Sequence, residues 1–220
     1  FDTAAGLVRA TCACADGKVT SAAIDMPAAF VKARGATIET EEWGTVTYDL
    51  CFGGVFYALV DAAELGLTLA PENAREIATK GVRLRNLIAP DCAASHPTVP
   101  ELDGLAYVMF RSTDPDGVLR TCTTLRPGRA DRSPCGTGSN ANMAVRHAEG
   151  TVRPGDRIVS RSIIGGEFVT EFCEETRVGD VAATRNRISG QCWIYAMTQI
   201  GLDPSDPFPE GFTLSDTWGG

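Results

Sequence analysis

Apolar and polar positions alternate along the first third of the chain in the manner of strands. Gly6-Leu7-Val8-Arg9-Ala10-Thr11 changes character residue by residue, and Asp16-Gly17 then punctuates it as a two-residue hairpin turn does. Residues 18–24 supply the returning strand, which Pro27 stops. A β-branched run at 45–51 leads into Gly53-Gly54, and a second strand-like run follows at 55–61. A glycine pair between two strands predicts a bulge or a place where the backbone must approach something closely. Pro71 stands at a first helical position, with acid in the first turn, Lys80 in the last and Gly81 as the cap, so a helix is expected over 71–81. Residues 90–100 carry three prolines and read as loop. Further strands are expected at 105–110 and 119–125, around the turn Asp114-Pro115-Asp116-Gly117, then at 160–164, 168–172 and 191–197. A second helix is expected over 139–149, closed by Gly150, and 203–211 is turn-rich. Many strands with two helices give an α+β class with a largely antiparallel or mixed sheet.

Composition narrows the function. With 44% hydrophobic and 22% charged residues in 220, the chain is ordinary globular material. A formal charge of −8 argues against nucleic acid or an anionic membrane as partner, since both need a basic face. No apolar run approaches the roughly 18 residues of a membrane span, and no secretory signal is visible at Phe1. The expectation is a soluble, cytoplasmic protein. Eight cysteines in 220 residues fall below the density of a disulfide scaffold, and most are expected to be small buried apolar side chains. Cys12 and Cys14, two apart in a strand, should point to one face. With no Cys-x-x-Cys and two histidines, His96 and His147, a zinc site has no spacing to support it, so no metal is expected.

The densest chemistry lies in Asp131-Arg132-Ser133-Pro134-Cys135-Gly136-Thr137-Gly138, a cysteine entering a helix between a proline and two glycines. A helix start leaves N–H groups unpaired and carries about half a positive charge. Gly136 and Gly138 let those groups close around an anion such as a carboxylate. The same field favours a thiolate at Cys135, by about one pKa unit if the helix end contributes ~1 kcal/mol. That suits proton transfer near neutral pH. The bland alternative is a buried cysteine beside a glycine turn. Walker A is excluded because no Gly-Lys-Ser/Thr follows, and a papain-like nucleophile would need a histidine partner that no motif supplies. His147 is expected at the surface of the second helix, and His96 in a loop.

The eight residues from Asp131 to Gly138 resemble the second catalytic motif of the proline racemase family, which includes hydroxyproline 2-epimerases and trans-3-hydroxyproline dehydratases. Asp2-Thr3-Ala4-Ala5-Gly6, Gly53-Gly54-Val55-Phe56-Tyr57-Ala58, Ser162-Ile163-Ile164-Gly165 and Asp206-Pro207-Phe208 follow in family order. The resemblance implies an isomerase that needs no cofactor. Two groups flank the substrate α-carbon, one removing a proton and the other returning one from the opposite face. It makes Cys135 one acid/base, gives the substrate carboxylate to Gly136 and Thr137 and the ring nitrogen to Asp131, and offers Phe56 as a pocket wall. Proline, 4-hydroxyproline and 3-hydroxyproline are the implied small-molecule substrates, and a homodimer is the candidate assembly.

The family's first motif, a Met-Cys-Gly-His segment or its serine variant, stands upstream of the Asp-Thr-Ala-Ala-Gly strand, and no Cys-Gly-His occurs here. The resemblance therefore implies a chain lacking an N-terminal part with the first base. Its fold is two pseudo-symmetric domains of the diaminopimelate-epimerase type, each a mixed sheet wrapped around a central helix, with the site in the cleft between them. Residues 1–30 and 187–220 would belong to the truncated first domain and 31–186 to the second. Racemisation or 2-epimerisation is the leading reaction. Dehydration of trans-3-hydroxy-L-proline is the alternative: Phe212-Thr213-Leu214-Ser215-Asp216-Thr217-Trp218 looks like dehydratase members, whereas many of those carry threonine at the place of Cys135. A non-catalytic imino-acid-binding fragment is the third reading.

Overall fold

The computed structural model describes residues 1–3 and 6–212. Two short strands, β1 (Asp2–Thr3) and β2 (Gly6–Leu7), pair antiparallel at the start. The hairpin β3 (Ala10–Ala15) and β4 (Lys18–Asp25) follows as its sequence demands. Asp16 at φ 51° and Gly17 at φ 74° both occupy the left-handed region that a tight hairpin turn requires. Cys12 and Cys14 are both exposed, and the register slips between Ala13 and Cys14.

The chain then builds a closed ring around a helix. The strands β5 (Ala29–Thr40), β6 (Gly44–Phe52) and β7 (Phe56–Asp61) run as an antiparallel meander. Helix α1 (Ala74–Ile88) returns the chain to β8 (Leu105–Thr113), which pairs parallel with β7 and antiparallel with β9 (Leu119–Leu125). A short strand β10 (Arg129–Ala130) leads to α2 (Gly136–Ala148), and β11 (Arg157–Ser162) then pairs parallel with β9. The long hairpin β12 (Glu167–Val178) and β13 (Val181–Gly190) completes the circuit. β12 pairs β11, and β13 pairs β5, so the order β5-β6-β7-β8-β9-β11-β12-β13 has no free edge. Along the side opposite β12, β13 changes partner, from β5 at Ala183 and Thr184 to β4 at Arg187–Gly190, so the β3–β4 hairpin leaves the ring there.

Helix α2 fills the ring. All eight residues from Gly138 to Val145 are buried, which a helix with one face to water never achieves, and α2 packs on β5, β6, β7, β12 and β13. An eight-stranded barrel is normally just filled by its own side chains. The small side chains of Gly138, Ser139, Ala141 and Ala144 are what let a helix replace them. Helix α1 covers the outer face, packing on β8, β9 and β10. The central strands are therefore buried on both sides and alternate between two cores. Along β7, Phe56, Ala58 and Val60 join the α1 core, whereas Tyr57 and Leu59 join the α2 core. Each such large side chain contributes about 1.5–3 kcal/mol by leaving water.

Several expectations are corrected. Helix α1 runs past Gly81 to Ile88, and Gly81 is no cap. A Cβ there would lie 2.3 Å from Thr124 Cγ2, so the glycine lets α1 approach β9. The strands β5 and β13 have no counterpart among the expected elements, and 191–197 forms no strand: Trp193, Ile194, Tyr195 and Met197 are exposed. Four of the cysteines, Cys12, Cys14, Cys173 and Cys192, are exposed rather than buried. No helix among the described residues is long and apolar enough to cross a membrane.

Candidate active site

The site is built at the start of α2 by a short chain of hydrogen bonds. The Asp131 N–H donates to Thr123 O at 2.8 Å, which fixes the segment to β9. The Asp131 carboxylate accepts from the Ser133 N–H at 2.9 Å and from its hydroxyl at 3.1 Å. Ser133 Oγ in turn accepts from the Cys135 N–H at 3.0 Å. Pro134 O accepts from the Thr121 hydroxyl at 3.0 Å and the Ser139 hydroxyl at 3.3 Å. These bonds hold Cys135 at φ 66° and ψ 111°, a conformation that costs a side-chain-bearing residue about 1–3 kcal/mol. The strained turn aims the peptides after it. The first intrahelical bond is Ser139 N–H to Cys135 O at 2.9 Å, and no side chain caps the helix. The N–H groups of Gly136, Thr137 and Gly138 therefore precede the helical ladder, and a Cβ on Gly136 would meet nothing within 4 Å. That is an anion-binding arrangement with open space on its outer side.

Cys135 itself is 7% exposed. Its sulfur lies 3.3 Å from the Tyr57 hydroxyl and 3.9 Å from Thr137 Oγ1, and those two hydroxyls are 2.7 Å apart. The remaining neighbours in this core are Cys51, Leu59, Met109, Ala141 and Val145, with Val31, Val55 and Tyr107 at its half-buried margin. Burial, then the proximity of Cys135, pushes the Tyr57 phenol well above its ordinary pKa, so it stays protonated. Burial pushes the Cys51 thiol up, and it pushes Cys122 to about 12 with further help from Asp131 and Cys135.

The glycine pair before β7 marks a close approach. A Cβ on Gly53 would sit 2.0 Å from Thr137 O and 2.7 Å from Ala141 N, and one on Gly54 would sit 2.8 Å from Thr137 Cγ2. Asn140, fully buried, locks this contact: its Nδ2 donates to Pro27 O and Gly53 O, each at 2.9 Å, and its Oδ1 accepts from Asn186 Nδ2 at 2.7 Å. Gly138 has the same tight fit, with Met109 Cε 2.1 Å from a would-be Cβ.

Four of the five residues singled out in the sequence, Asp131, Cys135, Gly136 and Thr137, thus come together. Phe56 does not join them. It packs against Phe30 and Phe52, at ring distances of 6.1 and 5.2 Å, in the α1 core. Strand periodicity gives the reason: adjacent side chains face opposite ways, so Tyr57, one residue on, is the one that meets Cys135. Tyr57, Ser133 and Asn140 were missed, and parity along 55–61 is the signal that would have pointed to Tyr57. Neither histidine approaches the thiol through a hydrogen bond. His147 lies in the last turn of α2, half-buried with its ring 5.2 Å from Phe172. His96 packs 4.7 Å from the ring of Phe52, and burial lowers its pKa.

Comparison with known proteins agrees with the motif. Residues 1–213 match the family model described as proline racemase. The chain is 48% identical over 219 residues to 4-hydroxyproline 2-epimerase 1 of Rhizobium rhizogenes, covering 100% of this chain and 64% of that one. It is 49% identical to the 4-hydroxyproline 2-epimerase of Allorhizobium ampelinum, covering 63% of that protein. Among solved structures, a hydroxyproline epimerase from Agrobacterium vitis with bound trans-4-hydroxy-L-proline superposes with a TM-score of 0.88 at 49% identity, over 99% of this chain and 63% of that one. A probable proline racemase from Agrobacterium radiobacter K84 with bound carbonate gives the same TM-score at 47% identity, over 100% of this chain and 64% of that one. The chain spans a little under two thirds of the length of these relatives, and over that span the fold is shared. It belongs to the proline racemase family.

Proposed function

We propose that this chain supplies one face of a cofactor-independent imino-acid 2-epimerase, with Cys135 exchanging the α-proton of a 4-hydroxyproline-type substrate. The observation that carries the reading is the position of the Cys135 sulfur, beside two hydroxyls and next to backbone N–H groups that precede the helical ladder of α2. The N–H groups of Gly136 and Thr137 would hold the substrate carboxylate. The Asp131 carboxylate would face the ring ammonium. Both contacts stabilise the charge that builds up when Cα loses its proton, which is where preorganised dipoles act most strongly. The thiolate of Cys135 takes the Cα proton and becomes the thiol; the carbanion electrons delocalise into the carboxylate; a second acid then delivers a proton to the opposite face. The reverse turnover starts from the thiol. That second acid is assigned to a group these 220 residues do not contain, and residues 1–30 and 187–220 are assigned to the domain that would carry it. The relatives named 4-hydroxyproline 2-epimerase, and the trans-4-hydroxy-L-proline bound in one homologous structure, support a 4-hydroxyproline-type substrate. The dehydratase-like stretch 213–218 lies outside the described residues.

The test is loss of the Cα–H signal of trans-4-hydroxy-L-proline in deuterium oxide, followed by NMR on the natural polypeptide that carries these residues. Exchange should be abolished by Cys135→Ala. Full exchange in the variant overturns the role of Cys135. A dehydrated imine from 3-hydroxyproline with no exchange on the 4-hydroxy isomer overturns the epimerase reading.

A further inference from the structure

Resting on that reading of Cys135, we propose that Tyr57 is a positioning residue whose hydroxyl, together with that of Thr137, forms a reversible two-hydroxyl relay that follows the charge on the Cys135 sulfur. Tyr57 is 1% exposed, and its side chain is fixed by β7 on one side and by the ring of Tyr107, 5.7 Å away, on the other. Its oxygen has two partners, Cys135 Sγ at 3.3 Å and Thr137 Oγ1 at 2.7 Å, and one proton to give. Two arrangements satisfy all three atoms. When Cys135 is a thiolate, Thr137 donates to Tyr57 and Tyr57 donates to the sulfur. When Cys135 is a thiol, its S–H donates to Tyr57 and Tyr57 donates to Thr137. No heavy atom moves between the two, and no proton leaves its own oxygen. Only the O–H bonds rotate.

The consequence is directional. A hydrogen bond to a charged acceptor is worth more than one between neutral groups. The relay therefore stabilises the thiolate more than the thiol and offsets part of the cost of placing a charge in this core. The other titratable groups facing the sulfur act differently. Cys51 on β6 is held as a neutral thiol by burial; Cys122 on β9, likewise held as a thiol by burial, packs on the other face of the sheet in the α1 core. Tyr107 on β8 stands at the margin, and Asp131 is engaged by Ser133. The first turn of α2 carries no acid, and the inward residues of β13, Thr184 and Asn186, are uncharged. Among the described groups, Tyr57 and Thr137 are thus the side chains placed to donate a hydrogen bond to Cys135.

The experiment is a pH titration of thiolate ultraviolet absorbance on the natural polypeptide that carries these residues, read as the difference between each protein and its Cys135→Ser counterpart so that the other cysteines cancel. It is run over the pH range in which circular dichroism reports an intact fold. Tyr57→Phe keeps the ring and removes the hydroxyl; its midpoint should rise by about one pH unit, a tenfold loss of thiolate at fixed pH. Thr137→Ser, which restores a hydroxyl in the same place, should leave the midpoint near that of the parent, and Thr137→Val should raise it. A Tyr57→Phe midpoint that superimposes on the parent overturns the relay. So does a parent that shows no Cys135 thiolate anywhere in that range. The titration needs no turnover, so it separates from the proposed function: a shifted midpoint without substrate exchange upholds the relay and sinks the epimerase reading.

Discussion

Asn140→Ala tests how the start of α2 is held. The parent side chain is fully buried and makes three hydrogen bonds, to Pro27 O, Gly53 O and Asn186 Nδ2. Asn186 keeps its second bond, to Thr184 Oγ1 at 2.8 Å, so its amide is only partly orphaned. The Pro27 and Gly53 carbonyls lose this donor outright. Three bonds at about 1 kcal/mol each, with the penalty of leaving the buried Gly53 carbonyl unpaired, give about 3–5 kcal/mol. For a chain of 220 residues that is a fall in melting temperature of roughly 6–20 °C. The assay is urea denaturation followed by circular dichroism, with the slope compared between variants so that a change in midpoint reads as a change in stability. Arg185→Ala serves as the control, because its pair with Glu174 is solvent-exposed on both sides and should cost under about 1 kcal/mol. A loss for Asn140→Ala no larger than that of the control refutes the claim that this amide clamps the β6–β7 turn to the helix. Since Gly53 O is one of its partners, the same variant should loosen the contact between Gly53 and the first turn of α2.

Two further outcomes follow from the charges and thiols. In the native protein, peptide-resolved alkylation should label Cys12, Cys14, Cys173 and Cys192, while Cys51 and Cys122 stay unlabelled until denaturant is added, because both are buried and pushed far towards the thiol form; early labelling of Cys51 would contradict the closed ring, and early labelling of Cys122 the packing of α1 on its outer face. Asp114 is held below the ordinary carboxylate range, first by its hydrogen bond to Arg120 and then by Arg161. A depressed native pKa contributes stability that is present above the unfolded value, about 3.9, and is lost as pH falls through the native one. Asp114→Asn should therefore remove part of the acid destabilisation below about pH 4, and an unchanged acid limb in the variant counts against this pairing.

The sequence was most legible where a local rule acts alone. Asp16-Gly17 dictated a hairpin because both residues must adopt positive φ, and the register of β3 on β4 followed. Gly53-Gly54 pointed to a close approach, and the backbone and side chain of Thr137 are what approach. The segment from Asp131 to Gly138 carried its own turn, helix start and thiol, so four site residues were readable together. Strand β13 was not, because its inward positions Thr184 and Asn186 are polar, with Asn186 bonded to Asn140 on α2 and to Thr184, which breaks the hydrophobic alternation. Strand β5 carries two register irregularities and the charged Lys32 and Arg34, which blur its period.

What the sequence alone determined, then, was the short-range chemistry: turns, helix starts and a thiol beside unpaired amides, all set by residues within a few positions of each other. What only the tertiary structure decided was which residues meet across the ring. Tyr57 rather than Phe56 faces Cys135 because β7 is buried on both faces and each side chain must choose a core. Residues 191–197, apolar enough to suggest a strand, form none here because a strand needs a neighbour to pair its backbone, and within the described chain none is supplied.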